Sequence, residues 1–391
     1  MTASANPADS QTAASQIGRL IHSRRDELGL TQAQLASLAG IPAAQTVSEI
    51  EKWRRDVKAH ELVRIARVLH TEVDVLLGIN AAPAATRVLW RRGTTTEDRR
   101  REVQLLERAR RYAQLEEWCG EPAAQALPNL QFDPARATWG AVASLAEQMR
   151  RLLDLGSIPA ATLHRTLEDS YGVKIFAEPL EGDQAAACVR SDFGAAVLLN
   201  SANVPWRRNF SLAHELFHLV TWDAVELAWS RASLGEASEP SWYPKLEKLA
   251  NHFASHLLLP AESLLSRVHA QASEGKLTYH RVAAVACDFE VSTQALLYRL
   301  CDLSVLERAD VDAVLANEEF RRVSREVTRP LTRQRIQRWY PERYFKLAAR
   351  AYQRGTVGKA VVAKYLEMPH AEVETFDLGE PHGSEAALSI G

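Results

Sequence analysis

The stretch RRNFSLAHELFHLV, residues 207–220, decides the fold of this 391-residue chain. It places His214 and His218 four residues apart, and at about 100° per helical residue both imidazoles fall within about 40° on one helix face. Glu215 follows the first histidine, where its carboxylate can accept a proton from a water on a metal held by both imidazoles. Most of the surrounding residues are apolar, so the helix should be buried and these three polar side chains should need partners.

A third metal ligand is expected downstream, because a catalytic zinc usually has three protein ligands and one open position. Residues 219–229, LVTWDAVELAW, contain no histidine or glycine, which disfavours the metzincin arrangement. The helix LEKLANHFASHLLLP, residues 246–260, offers Glu247 on a stripe that can face inward. His252 and His256 compete for this role, but they lie about 140° and 180° from Glu247 around the helix, so all three cannot face one metal.

A family resemblance decides between these candidates. RRNFSLAHELFHL followed by ExxANxFAxxLLxP resembles the ImmA/IrrE family of bacterial metallopeptidases, and the similarity covers roughly residues 139–306. It extends through LEDSYGVKIF, AAVLLN and VAAVACDFEVSTQALLYRL. The resemblance implies that His214, His218 and Glu247 bind Zn²⁺ and that Glu215 is the general base. It also implies a protein substrate such as an Xre-type repressor or an antitoxin, and single-stranded DNA as a candidate activator.

The segment LTQAQLASLAGIPAAQTVSEIE, residues 30–51, resembles the Xre/Cro helix-turn-helix. Thr31 caps a first helix, Gly40 lies at the turn, and the second helix reaches Ile50 and is expected to enter the major groove of operator DNA. One extra residue between Ile41 and Ser48 departs from the family pattern, and so does Trp53, which stands where a glycine is usual. A helical domain that only dimerises or docks a partner protein remains an alternative.

The expected DNA contacts belong mainly to this second helix. Gln32 should contact the DNA backbone, and Gln45, Thr46 and Ser48 should reach base edges or phosphates. The predicted DNA-binding set is Thr31, Gln32, Gln45, Thr46, Ser48, Arg54 and Arg55, with Arg24, Arg25 and Lys52 adding flanking positive charge. Such a domain is expected to bind double-stranded operator DNA as a homodimer.

Composition describes an ordinary globular protein, with 46% hydrophobic and 25% charged residues. The net charge of -2 excludes nucleic-acid binding over the whole surface, so any DNA contact must be regional. The four cysteines form no CxxC pair and predict buried free thiols rather than disulfides or a thiolate zinc cluster. No apolar run of about 18 residues or signal pattern occurs, which predicts a cytoplasmic protein without a membrane partner.

The predicted fold class is multi-domain: an all-α helix-turn-helix domain, an α+β zincin-like metallopeptidase domain with a small sheet, and a helical C-terminal region. Three short β-rich runs, VKIFAEPL, AACV and AAVLLN, predict a three-stranded sheet. The predicted divisions are a disordered arm at 1–16, the helix-turn-helix domain at 17–78, a linker with a long amphipathic helix at 79–136, the peptidase domain at 137–306, a regulatory or dimerisation region at 307–378, and a tail at 379–391.

The stretch from Arg321 to Arg343 contains eight arginines interleaved with Trp339 and Tyr340. It could hold phosphates or single-stranded bases, but a solvated helix that covers the peptidase is the favoured interpretation.

Two functions fit the sequence. The first is a DNA-binding regulator with zinc-dependent, site-specific endopeptidase activity against a repressor or antitoxin in a stress, phage or mobile-element response. The alternative is a non-proteolytic transcriptional regulator or antitoxin that uses the peptidase fold as a sensor or scaffold. The HExxH motif and Glu247 favour the first, because a site that no longer catalyses would be expected to lose a ligand or the base.

Overall fold

A computed structural model describes residues 7–69, 71, 73–77, 88–90, 96–122, 124–180, 186–191, 193–232, 241–272, 276–332 and 339–374. The predicted fold class is confirmed: an N-terminal helix-turn-helix domain precedes a domain with one small mixed sheet, and helices follow to the end of the described chain. No helix in these ranges is long and apolar enough to cross a membrane.

The N-terminal domain is a bundle of short helices. They are α1 (Pro7–Glu27), α2 (Gln32–Leu38), α3 (Ala44–Glu51), α4 (Ala59–Val68) and α5 (Val73–Leu76). Thr31 caps α2 as predicted, and its side chain and that of Gln34 form a reciprocal capping box. Ile21, Leu35, Val47 and Ile65 are fully buried in its core. Such a core fixes α3 against α2 and so orients the predicted recognition helix.

Trp53 takes a left-handed backbone conformation with a φ of 59° just after α3. This conformation explains why glycine is usual at the position, since a side chain there costs roughly 1–2 kcal/mol. The Trp53 ring packs near Gly18, where an added Cβ would lie 2.5 Å from the ring and 2.5 Å from the carbonyl of Ile50. Arg19 lies over the same ring. The departure in sequence is therefore accommodated within the helix-turn-helix fold.

One mixed sheet has the strand order β1-β3-β4-β2. Its strands are β1 (Val88–Trp90), β2 (Lys174–Glu178), β3 (Ala186–Ser191) and β4 (Gly194–Asn200). β4 pairs with β2 in parallel and with β3 in antiparallel orientation, and β1 pairs antiparallel to β3. The sequence predicts three strands; β1 is an additional strand contributed by the predicted linker.

The front face of the sheet packs on the helices that carry the predicted metal ligands. Side chains of Ile175, Cys188, Val197 and Leu199 point into this front core. The helices in the region are α7 (Trp139–Leu152), α8 (Pro159–Arg165, continued by a π-helical turn at Thr166–Ser170), α9 (Pro205–Val220), α10 (Trp222–Ala232), α11 (Tyr243–Leu258), α12 (Ala261–Gln271), α13 (Tyr279–Asp288), α14 (Thr293–Asp302), α15 (Arg308–Ala316) and α16 (Glu318–Thr332). The front core therefore holds α9 and α11 in contact.

The back face of the sheet is covered by a second core. Phe176, Val189 and Leu198 point into it from the strands. The covering helices are α6 (Thr96–Trp118), α17 (Glu342–Gln353), α18 (Lys359–Tyr365) and α19 (His370–Glu374). The long helix of the predicted linker is thus packed on the sheet, and its residue Val103 also enters the core of the N-terminal domain.

Helical structure begins within the predicted disordered arm at 1–16. α1 begins at Pro7, so helical structure starts ten residues before Ile17, and a proline in the first turn is favourable because its missing N–H needs no partner. Residues 1–6 of the predicted arm and the predicted tail at 379–391 lie outside the described residues. The four cysteines are free, as predicted, but only Cys119 and Cys188 are buried, whereas Cys287 and Cys301 are half-buried.

Candidate metal centre and DNA interface

Helix α9 positions both histidines and Glu215 inside the protein. Pro205 starts the helix in its first turn, and the residues from Ser211 to Val220 are all buried. His214, Glu215 and His218 expose 0%, 2% and 2% of their surface. Because burying polar groups is unfavourable without partners, these three side chains must be satisfied within the site.

The side chains of His214, His218 and Glu247 converge as the sequence predicts. The Nε2 atoms of the two histidines lie 3.2 Å apart. Glu247, reaching across from α11, places one carboxylate oxygen 3.3 Å from His214 Nε2 and the other 3.2 Å from His218 Nε2. We call this arrangement the His–Glu triangle. Burial alone would raise the pKa of Glu247, but the two imidazoles that face it hold the pKa well below its ordinary value.

The chemistry of the triangle fits a zinc ion. His214 Nδ1 donates to Asn251 Oδ1 at 3.1 Å, so a neutral His214 presents the lone pair of Nε2 to the carboxylate of Glu247. Lone pairs that face each other at this distance repel, and a cation bound between them would remove that repulsion. The two imidazole nitrogens lie 3.2 Å apart and each lies 3.2–3.3 Å from one oxygen of Glu247, close enough for the three side chains to share one zinc, which binds imidazole nitrogen and carboxylate oxygen at about 2.0–2.2 Å.

Asn251 is a further residue of the site, to which the sequence analysis assigned no role. It lies one helical turn after Glu247 on the same stripe of α11, so its spacing and its place in the ANxFA motif were the available signals. An acceptor on the far nitrogen of a metal-binding histidine fixes the ring and its tautomer. The side chain thus orients His214 rather than joining the triangle.

Glu215 lies beside the triangle with an unused acceptor. Its Oε1 is buried and has no hydrogen-bond partner within the described residues. The Cys188 thiol of β3 faces the same carboxylate, and burial, followed by the charge of Glu215, raises the pKa of that thiol well above its ordinary value. The carboxylate is therefore available to accept a proton on one oxygen while β3 contacts it from the sheet.

His252 and His256 point away from the triangle, as their angular positions on α11 require. Together with Asp302 they form a separate group whose ligand atoms lie within 4.8 Å of one another. His256 is already engaged on both nitrogens: Nδ1 contacts the carbonyl of His252 at 3.0 Å, and Nε2 accepts from Arg299 at 2.6 Å. Because a guanidinium occupies this position, the second group is a poor cation site.

The predicted DNA-contacting residues lie on or near α3. Gln45 is exposed and Thr46 and Ser48 are half-buried. Gln45 Nε2 donates to Glu49 at 3.3 Å along the helix surface. Arg54 is exposed just beyond the helix, whereas Arg55 donates to the buried Glu61 at 2.8 Å. The exposed face of α3 therefore presents short polar side chains suited to base edges or phosphates.

The expectation that Arg25 supplies flanking charge is wrong. Arg25 is 7% exposed, and its guanidinium donates to both oxygens of Glu51 at 2.6 and 3.2 Å. Gln32 Nε2 donates to the same carboxylate at 2.8 Å, so its amide supports the domain core from a half-buried position. The physical reason is that α1 and α3 pack together, which brings a cation and an anion from distant parts of the sequence into one buried pair.

The arginine-rich stretch from Arg321 to Arg343 divides into two parts. On α16, Arg322 pairs with Glu326 at the surface. Arg343 instead binds Glu116 of α6, while Trp339 packs against Phe176 in the back core. These residues of the second part are therefore structural, and residues 333–338 lie outside the described residues.

Comparisons with known proteins agree with this geometry. Residues 168–301 match the family model of the IrrE N-terminal-like domain, Peptidase_M78, and residues 16–77 match the model of a helix-turn-helix domain. The chain therefore combines these two domains, as the sequence resemblance indicates. No curated protein matches the chain.

Two solved structures show weak likeness. A Mycobacterium tuberculosis transcriptional regulator is 16% identical over 49% of this chain and 51% of its own, with a TM-score of 0.31, so the chain spans about half the length of that structure. Bacillus thuringiensis PlcR in complex with the peptide PapR7 and DNA is 14% identical over 88% of this chain and 99% of its own, with a TM-score of 0.16. These scores are too low to support an argument about fold or function.

Proposed function

We propose that this chain is a DNA-binding regulator with zinc-dependent endopeptidase activity, and that it cleaves a protein such as an Xre-type repressor or an antitoxin in a stress, phage or mobile-element response. The observation that carries the proposal is the His–Glu triangle beside a buried, unused carboxylate oxygen of Glu215. The helix-turn-helix domain in the same chain supports a role in regulating transcription.

Each residue has a distinct task in this proposal. A bound zinc ion would act as a Lewis acid on the scissile carbonyl and increase the acidity of water. His214 and His218 would hold it as neutral imidazoles, Glu247 would add a negative charge, and Asn251 would keep the His214 ring in place. Glu215 would accept the proton of the attacking water at its free Oε1 and deliver it to the departing amine nitrogen.

Zinc binding is tested by metal analysis of the purified full-length protein. We expect about one zinc per chain in the wild type and none when His218 and Glu247 are both replaced by Ala. His252→Ala is the matched control, because it removes a histidine from α11 that points away from the triangle. Unchanged zinc content in the double variant would show that the metal ligands are assigned wrongly.

Catalysis is tested with the variant Glu215→Gln. The amide keeps the shape of the side chain but cannot accept a proton, so cleavage should fall by roughly 10²- to 10⁴-fold while zinc content and DNA binding persist. The measurement is cleavage of an unfolded protein and of a small Xre-type repressor by the zinc-loaded chain, followed by mass spectrometry. Equal cleavage by wild type and variant would point to a contaminating protease and would remove the proposed role of Glu215.

DNA binding is proposed for residues 17–78, in a homodimer that reads two half-sites about one helical turn apart. Gel shifts against the promoter region of its own gene should show affinity that falls steeply as salt increases, because phosphate contacts release counterions. Arg54→Ala should weaken binding, whereas Arg25→Lys should act mainly through the stability of the domain. Retention of the shift after removal of this segment would favour the docking-domain alternative.

A second candidate function, a non-proteolytic regulator that senses a ligand or metal through the peptidase fold, is supported by α6. This one helix places Val103 in the core of the N-terminal domain and Tyr112 in the back core of the sheet. A change at the sheet could thus reach the DNA-binding domain through a continuous helix. Full transcriptional response with Glu215→Gln would favour this function over proteolysis.

A further inference from the structure

A cavity of about 560 Å³ lies on the side of α11 that faces away from the His–Glu triangle. His256 lines it, and this residue is about 180° around the helix from Glu247. The walls come from α7, the end of α11, the start of α12 and α14. Small-molecule sites usually have volumes of about 300–1,000 Å³, so the cavity is large enough for a ligand that does not touch the metal centre.

Arg299 brings a buried positive charge to the wall of this cavity. It is 6% exposed; its Nε donates to the carbonyl of Leu259 at 3.1 Å, and its Nη1 donates to His256 Nε2 at 2.6 Å. Both acceptors are uncharged, because burial, followed by the charge of Arg299, lowers the pKa of His256 to about 3. The charge of Asp302 also acts on the guanidinium, but that side chain is exposed.

The guanidinium of Arg299 therefore has an unused donor and an uncompensated charge. Among the described residues it forms no ion pair, and its Nη2 makes no hydrogen bond, which leaves this nitrogen for the cavity that the side chain lines. Burial of such a charge is unfavourable, and it lowers the pKa of Arg299 below its ordinary value. An anion bound in the cavity would supply the missing partner.

The first turn of α12 opens into the same cavity. This helix has eleven residues, and Ala261, Glu262 and Ser263 at its start are all in the cavity lining. Its N-cap is Pro260, which forms no side-chain hydrogen bond to the first amides of the helix. Uncapped amides at the start of a helix carry partial positive charge and bind anions, phosphate in particular. The half-buried Ser263 adds a hydroxyl group as a further donor.

The acidic side chains of the lining do not cancel the positive charge. Glu147 is already held by Arg150, which donates to its two oxygens at 2.7 and 3.1 Å. Of the other charged residues in the lining, Arg151 and Arg299 are positive and Glu262 is negative, so one positive charge is left over. The cavity is therefore suited to an anion.

We propose that this cavity binds the phosphate group of a small molecule, held by Nη2 of Arg299, the first amides of α12 and the hydroxyl group of Ser263. All of these groups are donors, so the ligand must supply acceptors, and a phosphate offers more acceptor oxygens than a carboxylate. The bound group would join α12 to α14. This proposal does not depend on the peptidase function, because none of the three proposed metal ligands lines the cavity.

Isothermal titration calorimetry of the full-length chain with inorganic phosphate, at an ionic strength held constant with chloride, tests the proposal. Phosphate should bind, and succinate, titrated in the same way, should bind much more weakly. Absence of phosphate binding up to about 10 mM, or binding of succinate alone, would overturn the proposal. The double variant with His218 and Glu247 replaced by Ala should still bind phosphate, because a zinc-bound phosphate would be lost there; loss of binding in it would also overturn the proposal.

Substitutions in the first turn of α12 separate binding from folding. Ser263→Asp should lower the affinity for phosphate by about tenfold or more, because its carboxylate would face the bound anion, although an acidic residue in a first turn favours the helix itself. Ser266→Asp makes the same change at an exposed position of α12 outside the cavity, and its affinity should equal that of the wild type. Equal affinities for the wild type and both variants would refute the site.

Two further variants test the charge of the site. Arg299→Gln should lower the affinity for phosphate, whereas Glu262→Gln should raise it by roughly two- to fivefold, since it removes the negative charge from the lining. Loss of folded structure cannot produce such a gain. Unchanged affinity in Arg299→Gln, or a lower affinity in Glu262→Gln, would overturn the assignment of these residues and with it the proposed site.

Discussion

Replacing Asn251 by Ala should lower the affinity of the chain for zinc by roughly 10- to 100-fold, the usual effect of removing a group that orients a metal-binding histidine. The structural reason is the 3.1 Å hydrogen bond from His214 Nδ1 to Asn251 Oδ1. Without it, the imidazole can rotate, and its Nδ1–H is left buried without an acceptor. His214 is 0% exposed, so water cannot readily replace the lost partner.

The magnitude agrees with the energetics of a single buried hydrogen bond. A 10- to 100-fold loss corresponds to about 1.4–2.8 kcal/mol, at about 1.4 kcal/mol for each tenfold change. Leaving a buried donor without an acceptor costs about 1–3 kcal/mol, which spans the same interval. The expected effect is therefore larger than that of a surface substitution but smaller than the loss of a direct ligand.

The assay is competition for zinc with a fluorescent chelator at neutral pH. Asn251→Asp should retain or increase affinity, because a carboxylate accepts the same hydrogen bond, and this rescue distinguishes orientation from a general loss of stability. His252→Ala, the adjacent position on α11, controls for the effect of altering the helix. Equal zinc affinity for wild type and Asn251→Ala would refute the argument.

Three further substitutions test the packing that supports the sites. Glu51→Ala should destabilise the N-terminal domain by about 3–5 kcal/mol in urea unfolding, because it leaves the buried Arg25 guanidinium without its carboxylate partner. A loss of stability no larger than that of a surface substitution would show that the Arg25–Glu51 ion pair does not stabilise the domain. Burial raises the pKa of Glu168 from 4.5 to about 7 in the folded chain. Between these two pH values the carboxyl is ionised in the unfolded chain but still protonated in the folded chain, so the free energy of unfolding should fall by about 3 kcal/mol as pH rises from 4.5 to about 7. Glu168→Gln should flatten that pH profile, and an unchanged slope would assign it to another group. Gly18→Ala should lower the melting temperature of the N-terminal domain, because the added methyl would lie 2.5 Å from a backbone carbonyl of α3; an unchanged melt would show that the helices adjust freely.

The sequence by itself determined the features that depend on local periodicity. The four-residue spacing of His214 and His218 predicts a shared helix face, and the stripe of Glu247 on α11 predicts an inward carboxylate. The same periodicity shows that Glu247, His252 and His256 cannot all face one metal, and the family resemblance then selects Glu247. Caps and turn residues likewise placed the short helices of the N-terminal domain, since capping and periodicity require only neighbouring residues, while the two-domain combination came from the resemblance of the two motif sets to known families.

Only the tertiary structure decided which distant residues meet. The place of Val88–Trp90 on the edge of β3 depends on long-range pairing, which no local pattern in the sequence shows. Asn251 acquires its task only because α11 packs against α9, and Arg25 becomes buried only because α1 packs against α3. Such contacts depend on which faces of helices and sheets come together, and this choice is made by burial over the whole chain rather than by the order of residues within one element.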